Sequence, residues 1–140
     1  MGIDLLYPNI EIGVVTTNVG RIIEFYENFL GLPLREELGF PGGAQRRYAV
    51  GKNTLKLVTY DQSPAARTVP GGGRTQEGIR YFSLYVSDIA AVAGRIADSP
   101  YELVEPLTEF TAIPGWSWLF AADPDGNWVE LAGPHASTSD

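Results

Sequence analysis

The chain has 140 residues, 44% of them apolar, no cysteine and a formal net charge of −7. Length and apolar share suit a single domain over 1–140 with a substantial core. The negative balance argues against nucleic acid or an anionic membrane as partner, and the missing cysteines exclude disulfides, thiolate metal sites and a cysteine nucleophile. No apolar run approaches the roughly 20 residues of a membrane span. The start, Met1-Gly-Ile-Asp-Leu, has no basic, signal-like segment, so the expected location is the cytoplasm. The single histidine, His135, falls in a tail (134–140) expected to fray. The body therefore lacks the commonest general base, and Ser-His-Asp catalysis is excluded.

In chain order, Glu11, Gly13 and Val15 alternate with Ile12, Val14 and Thr16, which predicts a strand. Asn18 is placed to cap a helix over 19–30, whose apolar stripe is Ile22, Phe25, Tyr26, Phe29 and Leu30. Gly31 and Pro33 stop it. Strands are predicted at about 33–39, 45–51 and 53–60, separated by Pro41-Gly-Gly and Gly51-Lys-Asn. The stretch 61–77, with Ser63-Pro, Pro70 and Gly71-Gly-Gly, reads as a linker or lid loop. Its triglycine is a weak phosphate-loop signal, because no Gly-Lys-Ser and no helix follow.

The same order then repeats. A strand over 78–86 runs into Ser87-Asp88, a second helix cap, and Ile89, Val92 and Ile96 stripe a helix that stops before Pro100. Strands follow near 101–106, 115–122 and 127–132, the last two joined by the tight turn Asp123-Pro-Asp-Gly-Asn. Asn18 answers to Asp88 at an offset of about 70, and Lys56 to Glu130 at about 74. A supersecondary unit present twice makes matching positions in the copies the place to look for function.

Three stretches carry a family likeness: Ile10-Glu-Ile-Gly-Val-Val-Thr-Thr-Asn, Ile23-Glu-Phe-Tyr-Glu-Asn-Phe-Leu-Gly-Leu and Phe120-Ala-Ala-Asp-Pro-Asp-Gly-Asn-Trp-Val-Glu-Leu. With the doubled unit, they resemble the vicinal oxygen chelate superfamily: glyoxalase I, extradiol dioxygenases, methylmalonyl-CoA epimerase, and the fosfomycin- and bleomycin-resistance proteins. The resemblance implies an α+β fold of two tandem βαβββ modules, 8–60 and 78–133. Together they would form a cupped mixed sheet with the helices outside and the site inside the cup. It also implies a homodimer.

In that family the first and last strand of each module each supply one metal ligand. The matching positions are Glu11, Lys56, Tyr81 and Glu130. Only the two glutamates conform to the usual His, Glu or Gln. A charged ammonium cannot coordinate, so no metal is predicted; Glu11 and Glu130 with waters leave room for a weakly held divalent cation such as Mg²⁺. If these groups converge, Lys56 pairs with the carboxylates, either as a structural ion network or as a polar anchor or acid-base group in a pocket.

Strand parity puts Glu11, Gly13, Val15, Tyr81, Ser83, Tyr85, Trp128, Glu130 and Ala132 on the cup side. Trp116, Trp118 and Phe120 share one face of their strand, which parity leaves unassigned. The predicted ligand-contacting aromatics are Tyr48, Tyr85, Trp116, Trp118 and Trp128, flat walls of the kind small-molecule sites use. Arg46, Arg47 and Arg74 read as solvated edge charges or as a clamp for an anion, and strand parity sends one of Arg46 and Arg47 into the cup without saying which. The leading functional reading is a protein binding a small aromatic or conjugated organic molecule, with the usual metal site degenerate. The alternative is a lyase, isomerase or dioxygenase of the superfamily, using Glu11 and Glu130 with a metal or metal-free acid-base chemistry.

Overall fold

The computed structural model describes residues 2–135. The chain divides into two units, one ending at Ala66 and the other beginning at Arg67. Each is a β-α-β-β-β array closing on a four-stranded mixed sheet, so the predicted mixed sheet is realised as two sheets of identical order.

In the first unit, β1 (Glu11–Val15) leads into α1 (Val19–Ile23), and β2 (Leu34–Phe40), β3 (Gly43–Val50) and β4 (Asn53–Tyr60) follow. The order is β1-β4-β3-β2, with β1 parallel to β4 and the rest antiparallel. The parallel pairing requires the chain to cross over, and the helix makes that crossing. Asn18 stands at the cap position but its side chain makes no capping bond. Thr16 takes over locally, its Oγ1 accepting from the Asn18 N–H at 2.9 Å.

The predicted helix over 19–30 is only half α. From Glu24 to Phe29 it widens to a π-helix, closed by the Leu30 N–H donating to the Phe25 carbonyl at 2.9 Å. A wider turn separates neighbouring side chains by a smaller angle. Phe25 and Tyr26, adjacent in sequence, are therefore both fully buried, with rings edge to face at 4.9 Å. Ile22, Phe25 and Tyr26 join Tyr48, Leu55 and Leu57 in the buried layer between helix and sheet.

In the second unit, β5 (Tyr81–Tyr85), α2 (Ile89–Ala97), β6 (Glu102–Glu109), β7 (Trp116–Ala122) and β8 (Trp128–Pro134) repeat the plan in the order β5-β8-β7-β6. Here the cap is chemical: Asp88 Oδ1 accepts from the Ala91 N–H at 3.2 Å. Ile89 and Ile96 of α2 are buried, as are Leu119, Ala121, Val129 and Leu131 of β7 and β8. Each such leucine, isoleucine or valine contributes about 1.5–3 kcal/mol by leaving water. The β7–β8 turn is tied by Asp123, whose carboxylate accepts from the N–H groups of Asp125 and Asn127 and from Asn127 Nδ2, each at 2.9 Å.

Boundaries move: β3 begins at Gly43 rather than 45 and β5 at Tyr81 rather than 78, and two strands run longer. β6 continues through Pro106 to Glu109, which an edge strand tolerates because its outer N–H groups need no partner. β8 runs to Pro134, opposite Trp116, and the His135 N–H donates to the Gly115 carbonyl at 3.2 Å. The tail expected from 134 is therefore sheet at Pro134, and His135 Nε2 lies 2.9 Å from Ser117 Oγ. The remainder of that tail, 136–140, lies outside the described residues.

Candidate functional site

The sequence offsets mark equivalent places in the two sheets. Lys56 of β4 stands opposite Gly13 of β1, and Glu130 of β8 opposite Ser83 of β5. Continuing outward, Lys56 is opposite Arg47 and Arg47 opposite Glu36; Glu130 is opposite Phe120 and Phe120 opposite Glu105. Directly opposed residues share a face. Each sheet thus carries a four-residue row on the side away from its helix. The first reads Glu36, Arg47, Lys56, Gly13; the second reads Glu105, Phe120, Glu130, Ser83.

The first row is an ion network. Arg47 donates from Nη2 to Glu11 Oε2 at 2.6 Å and from Nη1 to Glu11 Oε1 at 2.9 Å, with Nε 3.1 Å from Glu36. Lys56 Nζ lies 3.3 Å from Glu11 Oε1. The Arg47 hydrogen bonds, with help from Lys56, hold the Glu11 carboxyl down at about 2. Such a carboxylate is a weak base at neutral pH. Of the two carboxylates expected to pair with Lys56, Glu11 does so, while Glu130 is held by Ser83; of Arg46 and Arg47, it is Arg47 that lies on this face, as the stronger partner of Glu11. Arg47 lies on an inner strand and its side chain is only 13% exposed.

Its neighbour Arg46 takes the opposite face. It donates to the Tyr48 hydroxyl at 2.9 Å and to Glu27 of the π-helix at 2.7 Å, and it also pairs with Glu37. Tyr48, expected among the ligand-contacting aromatics, is corrected here: it is fully buried on the helix side, a packing residue tied to Arg46.

The second row is aromatic and acidic. The Phe120 ring meets Tyr81 at 4.9 Å, Trp128 at 5.2 Å and Trp118 at 5.7 Å. Tyr81 and Trp118 are set edge-on to it, as aromatic quadrupoles prefer. These contacts assign the face that parity left open: the β7 aromatics lie on the side of Tyr81 and Trp128. Trp116 meets Tyr85 at 6.1 Å on that same side, and Tyr85 is 74% exposed. Glu130 Oε1 accepts from the Ser83 hydroxyl at 2.6 Å. A cavity of about 340 Å³ opens on this face, walled by Tyr81, Phe110, Trp118, Phe120 and Trp128, with Glu105 and Glu130 among its polar groups.

The end of the stretch read as a linker or lid forms one wall of this cavity. Gly72–Arg74 make a 3₁₀ turn against Trp128. Gly72 has φ +52, and a Cβ there would come within 2.2 Å of the indole, so only glycine fits. Arg80 fastens the segment by donating to the Gly72 carbonyl at 2.9 Å and to the Val69 carbonyl at 2.7 Å. Arg74, read as edge charge or anion clamp, pairs with Glu105 at 2.7 Å, and Glu105 holds its already high pKa higher still.

Sequence reasoning left Phe120 without a role and missed Glu105, Phe110 and Gly72. Register irregularities flank Glu105 on β6, so counting alternate residues could not place it. The triglycine was the signal for the strap: a backbone that presses on a ring needs a residue without a side chain.

The four positions matched to the family's metal ligands fall two in each unit. Glu11 and Lys56 are paired to each other, Tyr81 packs on Phe120, and Glu130 is held by Ser83. In the first unit both Glu11 oxygens are engaged by cations, and Lys56 and Arg47 would repel a dication. This donor set does not fit a divalent metal. Among the described residues no three His, Cys, Asp or Glu side chains group so as to hold one.

A family model described as the Glyoxalase/Bleomycin resistance protein/Dioxygenase superfamily matches residues 10–131. The chain belongs to this superfamily. Within reach of its sequence is YwbC of Bacillus subtilis (strain 168), 22% identical over 125 residues, which are 85% of this chain and 91% of that protein. Among solved structures, a glyoxalase family protein from Bacillus cereus superposes with a TM-score of 0.76 at 17% identity, covering 95% of this chain and 97% of its own. TnmS3, an antibiotic binding protein from Streptomyces sp. CB03234, gives 0.66 at 18% identity, covering 94% and 99%. These structures share the fold of this superfamily member. Among the described residues, no helix is long and apolar enough to cross a membrane.

Proposed function

We propose that this superfamily member is a binding protein for a small, flat aromatic or conjugated organic molecule, held on the aromatic face of the second unit. The observation that carries the reading is the cavity of about 340 Å³ in which Tyr81, Trp118, Phe120 and Trp128 stand beside two carboxylates. Convergent ring faces with few polar groups are how small-molecule sites are built. The fold is compatible with such a role, since TnmS3 is an antibiotic binding protein. In the first unit the Glu11 carboxylate is tied by Arg47 and Lys56 and is a weak base near neutral pH, which supports binding more than acid-base chemistry there.

The test is titration of the purified protein with a panel of flat aromatic compounds, read by tryptophan fluorescence and calorimetry. A bound ring should quench the tryptophans. Trp118→Ala should weaken it about fivefold to tenfold, the effect of losing about one aromatic contact. Quenching that survives Trp118→Ala and Trp128→Phe unchanged for every compound would reject the site. A homodimer is part of this proposal, and sedimentation showing only a monomer near 15.2 kDa would remove that part.

A further inference from the structure

The row across the second sheet sets charge as well as shape. Glu105 and Glu130 both face Phe120, one from the strand on each side. At ordinary strand spacing they stand roughly 9–10 Å apart with the ring between them. Their surroundings differ. Glu130 accepts a hydrogen bond from a neutral hydroxyl, Ser83. Glu105 is held by a cation, and that pair is lopsided: the Glu105 side chain is 16% exposed, while Arg74 is 72% exposed on the strap. Both groups line the cavity, the carboxylate on the sheet and the guanidinium on the exposed strap. One exposed arginine facing two carboxylates leaves this patch with a net negative charge, and aromatic faces attract cations.

We propose that the cavity selects organic cations: a flat ring system bearing a quaternary or protonated nitrogen, seated over Phe120 between Glu105 and Glu130. On entry the ligand's charge takes the place of Arg74 beside Glu105, so this largely shielded carboxylate is never left unpaired. Arg74 then swings to water, where a long charged side chain is at home. The inference rests on the reading above that this face binds a flat aromatic, and adds the sign of the ligand's charge and the residue it displaces.

Three probes of one shape separate the possibilities at pH 7.5: 10-methylacridinium, a permanent cation; acridine, uncharged at that pH; and acridine-9-carboxylate, an anion. Calorimetry on the full chain should give 10-methylacridinium about tenfold tighter than acridine, with the carboxylate weakest, and a gap that shrinks as salt rises. Glu105→Gln should narrow the gap between cation and neutral ring about fivefold. Arg74→Ala should strengthen 10-methylacridinium about threefold, because the internal competitor is gone. Equal binding of acridine and 10-methylacridinium overturns cation selection and leaves aromatic binding standing. Tightest binding of the carboxylate, weakened by Arg74→Ala, overturns it in favour of an anion clamp. Failure of all three probes to bind removes both readings.

Discussion

Arg47 and Phe120 occupy the same place in the two sheets, each opposite a glutamate of the edge strand and opposite the residue matched to a family metal ligand. Around Arg47 the face is neutralised by its own ion pairs with Glu11 and Glu36. Around Phe120 the face is a cluster of rings with a cavity and two carboxylates. One backbone plan thus supports an internally satisfied surface in one unit and a surface with binding capacity in the other. Strand order is shared; the difference lies in the side chains, in the strap against Trp128 and in the register irregularities that flank Glu105.

The sharpest way to break this comparison is to truncate the two equivalent residues. Phe120→Ala should cost about 3–5 kcal/mol in denaturant unfolding, the usual loss for a buried ring. Arg47→Ala should cost only about 1 kcal/mol, because its carboxylate partners are nearly half exposed and screened. Equal costs would mean that the ion network is as much a core as the aromatic cluster.

Next in size, Gly72→Ala should destabilise the second unit by about 1–3 kcal/mol and weaken any ligand of the cavity, since the new methyl must push the strap off Trp128. Unchanged stability and unchanged tryptophan emission would show that the strap is not seated on the indole.

A smaller effect separates the faces by pH. Glu11 titrates near 2 in the folded protein against 4.5 for an ordinary glutamate, so its pairing stabilises the fold above pH 4.5. That contribution fades as pH falls from 4.5 towards 2, because the unfolded chain takes up the proton first. Carboxyl chemical shifts followed through this range should place Glu11 near 2. In Arg47→Leu its midpoint should rise towards the ordinary value, even though Lys56 is retained. A midpoint that does not move would make Lys56, rather than Arg47, the controlling partner.

The smallest effect belongs to Gly13. A Cβ there would meet only ordinary contacts with Lys56 and Val58, the nearest at 3.7 Å. Gly13→Ala should therefore change stability by less than about 0.5 kcal/mol, and a larger loss would reveal a tight approach at this place on the first sheet.

Much of this was legible in the sequence because it is written in local periodicity. Alternation in 11–16 and 81–86, the helix stripes and the Asp123-Pro-Asp-Gly turn each depend on residues within one turn or strand. The doubled pattern then identified Lys56 and Glu130 as equivalent, and strand register agrees. What tertiary structure decided is whatever depends on partners far along the chain. The π-helical turn at Glu24–Phe29 lets two adjacent rings share one buried layer with Tyr48. The choice between Arg46 and Arg47 followed from which acids lay within reach, Glu27 on the helix side and Glu11 on the other. Glu105 entered the aromatic face through irregularities that reset the parity of β6, and Gly72 became a wall because Trp128 lies beneath it. The order of strands and helices and its repetition are set by local patterning, since alternation and helical spacing follow from backbone geometry one residue at a time. The lining of the cavity was decided only by folding, because it brings together side chains from separate strands and the strap, from Gly73 to Glu130.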